Sequence, residues 1–249
     1  MNRWHPKHQQ PDRDRSGLRH LGPRLLGLAL ALVLLLVGGP LAPAWAAPAE
    51  EAVFAGGCFW CLEHDLEILP GVLDVVSGYS GGRLERPTYR QVSAGGTGHQ
   101  EVVRVRFDPD RISYNTLLRA FWRNVDPFDG AGQFCDRGTS YQPVIFTRGA
   151  EQASEAVTSQ RDAARELKRP ASSLKVELKV LSRFWPAEDY HQNYAKRNAV
   201  QYNYYRWACG RDRRLDAVWG ARARRPIPWG AAPSKRSTSK PAGPNPTKT

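Results

Sequence analysis

From Ala52 onward the apolar residues fall into short runs whose spacing switches between the period of two of a half-buried strand and the three-to-four spacing of a helix face. Ala52-Val53-Phe54-Ala55 predicts a strand, and Leu62-Glu63-His64-Asp65-Leu66 predicts the helix that follows it. Val72 to Tyr79 reads as a second strand, stopped by Ser80-Gly81-Gly82, whose glycines suit a turn. Thr88 to Val92 reads as a short helix that Gly95-Gly96-Thr97-Gly98 breaks. Glu101 to Phe107 alternates strictly, so Glu101, Val103, Val105 and Phe107 share one face while Arg104 and Arg106 take the other. Ser113 is positioned to cap a helix in which Leu117, Leu118, Phe121, Trp122 and Val125 recur at helical spacing. Asp126 to Pro143, rich in Gly, Asp and Pro, is predicted to be a loop of the length that carries function. Val144 to Thr147 then predicts a strand, Ala150 to Lys168 an amphipathic helix stopped by Pro170, Leu174 to Leu181 a strand, and Ala187 to Tyr205 an aromatic-rich helical stretch. Strands interleaved with helices of differing length predict a two-layer α/β sandwich, although their order leaves the strand pairing open.

The ends of the chain read differently. Leu25 to Val37 is an apolar run preceded by basic residues and followed by Ala44-Trp45-Ala46. It is short for ~30 Å of hydrocarbon and ends in small residues, so residues 1–46 are expected to be a signal peptide, an anchor if uncleaved. The chain is therefore expected in the periplasm or outside the cell. Past Arg225 a Pro-, Ser-, Lys- and Thr-rich stretch offers little apolar surface, so residues 226–249 are expected to be a disordered basic tail. Residues 47–225 remain as one domain. The net charge of +12 sits mostly in the two ends, leaving residues 47–221 with 23 basic against 22 acidic residues. That balance argues against a nucleic-acid-binding face.

Between the first strand and helix lies Gly56-Gly57-Cys58-Phe59-Trp60-Cys61. A thiol at a helix N-terminus gains from the macrodipole and free backbone N–H groups, which is expected to lower the Cys58 pKa and make it a nucleophile. Phe59 and Trp60 beside it favour an apolar substrate group. Glu101 stands at the end of an apolar strand face, where desolvation raises a carboxyl pKa toward that of a usable acid.

Gly-Cys-Phe-Trp at 57–60 resembles the motif of the A-type peptide methionine sulfoxide reductases. Gly96-Thr97-Gly98-His99-Gln100-Glu101, Asp136-Arg137-Gly138-Thr139-Ser140-Tyr141 and Ala187-Glu188-Asp189-Tyr190-His191-Gln192 are similar to further segments of that family, in the expected order. The resemblance covers about residues 54–220. It implies a sandwich around a mixed sheet, reduction of the S epimer of methionine sulfoxide in proteins, and oxidative damage repair. By resemblance, Cys58 attacks sulfur, Glu101 gives a proton to the sulfoxide oxygen, and Tyr89 and Tyr141 hydrogen-bond that oxygen. Phe59 and Trp60 then wall in the methyl group, and Asp136 orients the substrate backbone. No bound cofactor and no metal are implied, only an external thioredoxin-like dithiol, and the protein is expected to be a monomer.

The resulting sulfenic acid needs a second thiol. Cys61, three residues on where relatives have glycine, and Cys209, near the C-terminus where many relatives keep theirs, are nearly level candidates. Cys135, next to Asp136, is the third. Three competing readings of the four cysteines are a zinc site, a structural pair of disulfides, and a thioredoxin-like Cys-x-x-Cys oxidoreductase. None of the first two explains Glu101 on an apolar face, and the third lacks its expected strand order.

Overall fold

In the computed structural model of the chain, residues 47–231 are described. The Leu25–Val37 run, the Ala44-Trp45-Ala46 site and all of the tail beyond Ala231 lie outside the described residues. The first strand, β1 (Glu50–Ala55), turns Ala52 and Phe54 to one side of a sheet and Val53 and Ala55 to the other. It pairs antiparallel with β3 (Gln100–Phe107) and with β6 (Val144–Thr147). On its far side β3 pairs antiparallel with β2 (Val72–Ser80), and β2 with the two-residue β8 (Trp185–Pro186). The edge strand β7 (Glu177–Val180) runs parallel to β6, which makes a mixed six-stranded sheet in the order β7-β6-β1-β3-β2-β8.

The alternation in β3 does what the sequence pattern requires: Val103, Val105 and Phe107 enter the main core, and Val102 enters a smaller cluster on the opposite face. Over the main face lie α1 (Phe59–Glu67), α3 (Tyr114–Trp122) and α4 (Gly149–Glu166). They contribute Phe59, Leu62, Leu66, Leu117, Leu118, Phe121, Trp122 and Ala163 to the core. Ser113 caps α3 by accepting from the Thr116 N–H at 3.2 Å, as its position predicts. A short α2 (Tyr89–Ser93) follows a Thr88–Gln91 capping box. No helix among the described residues is long and apolar enough to cross a membrane.

The stretch read as one helix over Ala187–Tyr205 is not one. It comprises a 3-10 turn (Asp189–His191), α5 (Tyr194–Arg197) and α6 (Ala199–Ala208). Tertiary partners outbid local helix continuity. Gln192 accepts from the Ser77 N–H at 2.9 Å and donates to the Ser77 carbonyl at 3.0 Å, so its amide caps the edge of β2. Asn193 then turns through a left-handed φ of 53° and gives its N–H to Glu63 at 2.9 Å. A further helix, α7 (Arg211–Trp219), buries Leu215 and Trp219. Pro226–Ala231, read from composition as the start of the tail, lie against the domain: buried Arg123 donates to the carbonyls of Arg225 and Ile227 at 2.8 and 2.5 Å. Arg123 is itself paired bidentately with Glu166.

Candidate active site

Gly56 and Gly57 set the approach of Cys58. A Cβ on Gly57 would lie 2.7 Å from the Gln133 Cβ, and its φ of +81° is a left-handed value that side chains resist. The chain thereby turns sharply out of β1, and Cys58 becomes the N-cap of α1, with its carbonyl accepting from the Cys61 N–H at 3.1 Å. One residue on, the Phe59 N–H donates to Glu101 Oε2 at 3.1 Å. The carboxyl at the end of β3 thus closes the exposed donors of the helix that carries the thiol. Glu101 is 2 % exposed, and burial raises its pKa to about 8, outweighing the Phe59 N–H bond that favours the carboxylate. At neutral pH it holds a proton.

Tyr89 and Tyr141 line the same small cavity as Glu101, so the two phenols and the acid form one cluster. Cys58, Phe59, Trp60, Tyr89, Glu101, Asp136 and Tyr141, all singled out in the sequence, line one cavity of about 70 Å³. An eighth lining residue, Tyr205, was not singled out. Its hydroxyl donates to Asp136 Oδ2 at 2.6 Å, and its ring meets Trp60 edge-on. Trp60 stacks on Tyr194 at 3.6 Å between centroids and donates its indole N–H to His191 Nδ1 at 3.0 Å. His191 in turn packs against Phe59 and Tyr89. Glu188 accepts from the Tyr89 N–H and the Tyr79 hydroxyl, which holds α2 and its tyrosine at the cavity. The segment 187–192 therefore supports the site from behind. The aromatic density of residues 185–205 was the available signal, and it was absorbed into a helix.

One expectation about the cysteines is corrected. The Cys58 pKa is not lowered: burial, then its hydrogen bond to Cys61 and the nearby Glu101 and Asp136 carboxyls, push it well above the ordinary thiol range. The lowered thiol is Cys61, which accepts the hydrogen bond from Cys58 and feels the Arg211 and Arg206 guanidiniums. Helix-end stabilisation is a local effect worth about 0.3–1 kcal/mol, less than the cost of burying a charge. Arg211, 1 % exposed, reaches this site by donating to the Gly56 and Asn124 carbonyls, at 3.3 and 2.7 Å. Cys135 and Cys209, both candidate resolving residues, form a disulfide with each other, so neither offers a thiol in this state. The pairing also removes the four-cysteine zinc site. Cys58 and Cys61 are free and buried, which removes the structural two-disulfide reading.

A buried thiol at a helix N-terminus, a buried neutral carboxyl and two phenols around a small aromatic cavity agree with the family profile that matches residues 50–223, described as peptide methionine sulfoxide reductase. The chain belongs to this family. Peptide methionine sulfoxide reductase MsrA 2 of Caulobacter vibrioides is 50 % identical over 194 residues, covering 78 % of this chain and 97 % of the relative. MsrA 2 of Rhizobium meliloti is 47 % identical over 199 residues, covering 80 % and 95 %. Among solved structures, methionine sulfoxide reductase A of Corynebacterium diphtheriae is similar with a TM-score of 0.56 at 28 % identity, covering 62 % of this chain and 77 % of that one. Reduced Mxr1 of Saccharomyces cerevisiae gives 0.58 at 25 % identity, covering 61 % and 87 %. The chain is thus a thiol-dependent oxidoreductase of the A type that reduces methionine sulfoxide, and its mixed sheet is the fold of that group. The thioredoxin-like reading falls with this assignment.

Proposed function

We propose that this reductase repairs the S epimer of methionine sulfoxide in proteins, and in free or peptide form, by the following route. When substrate enters, the Cys58 proton passes to the Cys61 sulfur, which Arg211 and Arg206 favour as the anion. The Cys58 thiolate attacks the electrophilic sulfur while Glu101 gives its proton to the sulfoxide oxygen, and Tyr89 and Tyr141 hydrogen-bond that oxygen as charge develops on it. The protonated oxygen then passes from the substrate sulfur to the Cys58 sulfur as the new sulfur–sulfur bond breaks, so methionine leaves and Cys58 is left as a sulfenic acid. Cys61 sulfur displaces its hydroxyl as water, forming a Cys58–Cys61 disulfide that an external thioredoxin-like dithiol reduces. The aromatic wall of Phe59 and Trp60 receives the methyl group, and Asp136 receives the substrate backbone.

The observation that carries this reading is the buried Glu101 carboxyl, protonated at neutral pH and bonded to the residue after Cys58. Cys61 is assigned the resolving role because it already contacts Cys58 whereas the other two cysteines are bonded together. Turnover of S and R methionine sulfoxide peptides with dithiothreitol tests the chemistry: S-selective activity abolished by Cys58→Ser is expected, and activity surviving that change refutes it. Cys61→Ser should form about one methionine per enzyme and accumulate a sulfenic acid trapped by a 1,3-diketone probe. Unimpaired turnover with a thioredoxin-like donor refutes its role. The leading apolar run supports action outside the cytoplasm, and finding only unprocessed chain in the cytoplasmic fraction counts against that address.

A further inference from the structure

The Cys135–Cys209 disulfide joins two elements that are already joined once, at the substrate side of the cleft. Cys135 directly precedes Asp136 in a small hairpin of β4 (Gly132–Gln133) and β5 (Asp136–Arg137). Cys209 ends α6, one helical turn beyond Tyr205, and its N–H donates to the Tyr205 carbonyl at 2.8 Å. The Asp136–Tyr205 hydrogen bond and the disulfide therefore run side by side between the same hairpin and the same helix. Both Asp136 and Tyr205 line the cavity that holds Cys58.

The hairpin needs outside support. Gln133 spends its amide on Asp126 and Asp129, and Arg137 pairs with Asp129, all within the same loop. Phe134, just before Cys135, sits at a left-handed φ of 57°, a conformation that a bulky residue resists unless its surroundings impose it. Arg211 over the Phe134 ring, the Tyr205 bond and the disulfide are the ties at the hairpin tip. Cys135 is exposed and Cys209 half-buried, so a dithiol in solution can reach the bond.

We propose that Cys135 and Cys209 are positioning residues forming a redox-sensitive clamp: closed, they hold Asp136 and Tyr205 in the shape that binds substrate, and opened by an external dithiol, they release that wall without altering the chemistry at Cys58. Opening exchanges one disulfide for two thiols at the expense of the dithiol, which becomes oxidised. The inference rests on the reading of the site given above.

The test is single-turnover methionine formation against substrate concentration. Enzyme with Cys58 and Cys61 reduced and the clamp closed, a state verified by mass of the alkylated peptides, is compared with Cys135→Ser/Cys209→Ser and with fully reduced wild type. The plateau rate should agree within about twofold, while the half-saturating concentration rises at least about fivefold in both open forms. Reoxidising the wild type should restore the low value. Should the double variant fail to fold, the closed and open wild type carry the comparison alone. Equal half-saturation for open and closed enzyme refutes the clamp, as does a plateau that collapses on opening. Normal single turnover with loss of multiple turnover in the double variant also refutes it, making the pair an electron relay instead. No methionine from the closed enzyme sinks the underlying assignment of the site rather than the clamp specifically.

Discussion

Replacing Glu101 with Gln separates what the buried acid does for the reaction from what it does to stability. Glutamine keeps the shape and an oxygen to accept the Phe59 N–H, but it cannot donate an acidic proton. The carboxyl has an ordinary pKa of 4.5 and is raised to about 8 in the fold, so the native state binds its proton more tightly than the unfolded chain does. Its contribution is fully present below pH 4.5 and is lost as pH climbs toward 8, the reverse of a salt-bridged carboxylate. Relative to the fully protonated state, linkage gives a loss of about 0.8 kcal/mol at pH 5, about 3 at pH 7 and about 5 at pH 9. Glutamine has no such dependence. The stability of Glu101→Gln relative to wild type, from urea denaturation at fixed temperature, should therefore improve by about 2.5 kcal/mol between pH 5 and pH 7 and by about 1.5 more by pH 9. Titrating groups remote from Glu101 cancel in the difference. Single-turnover activity of the same variant should fall about a hundredfold. A stability difference that stays flat from pH 5 to pH 9 would mean the carboxyl titrates normally, and the account of the acid would fail with it.

Tyr89→Phe and Tyr141→Phe should each lower the plateau rate about ten- to a hundredfold with little change in half-saturation, because each removes one donor to the developing oxygen charge; a change confined to KM would assign them to binding alone. Trp122→Ala removes a fully buried indole that also donates to Ser159 at 2.9 Å, and should cost about 3–5 kcal/mol by urea denaturation. Arg123→Met leaves the buried Glu166 carboxylate with only the Gly230 N–H and a long contact to Arg222, and should destabilise by about 3 kcal/mol, whereas Arg123→Met/Glu166→Leu should recover most of that loss. No recovery in the double variant would show that the guanidinium matters chiefly for the carbonyls of residues 225 and 227.

The parts of this molecule that sequence made legible are those governed by short-range pattern. Alternation alone put Glu101 on the face of β3 that turned out to be core, and Ser113 announced its own helix. Local motifs brought seven of the cavity residues into view. The parts that were hidden depend on partners far along the chain. Nothing in residues 187–205 states that Gln192 will dock on Ser77 or that Glu63 will draw in the Asn193 N–H, and those two bonds break the helix. Tyr205 became visible only through Asp136, 69 positions away, and the Cys135–Cys209 pairing spans 74. The Cys58 pKa departs from the sequence expectation because a helix terminus can be read from spacing while the depth of burial cannot.

The hydrogen bond from Phe59 to Glu101 ties the thiol-bearing helix to the central strand of the sheet, whereas Asp136 and Tyr205 come from a loop and a late helix. Reactivity is thus inherited from the most cooperative piece of the fold, and recognition from its outer additions. Drift in the outer additions can retune which oxidised proteins are accepted while the distance between nucleophile and acid stays fixed. Grafting residues 126–142 together with 199–210 from a relative should therefore transfer substrate preference as a module and leave the intrinsic rate on free methionine sulfoxide nearly unchanged.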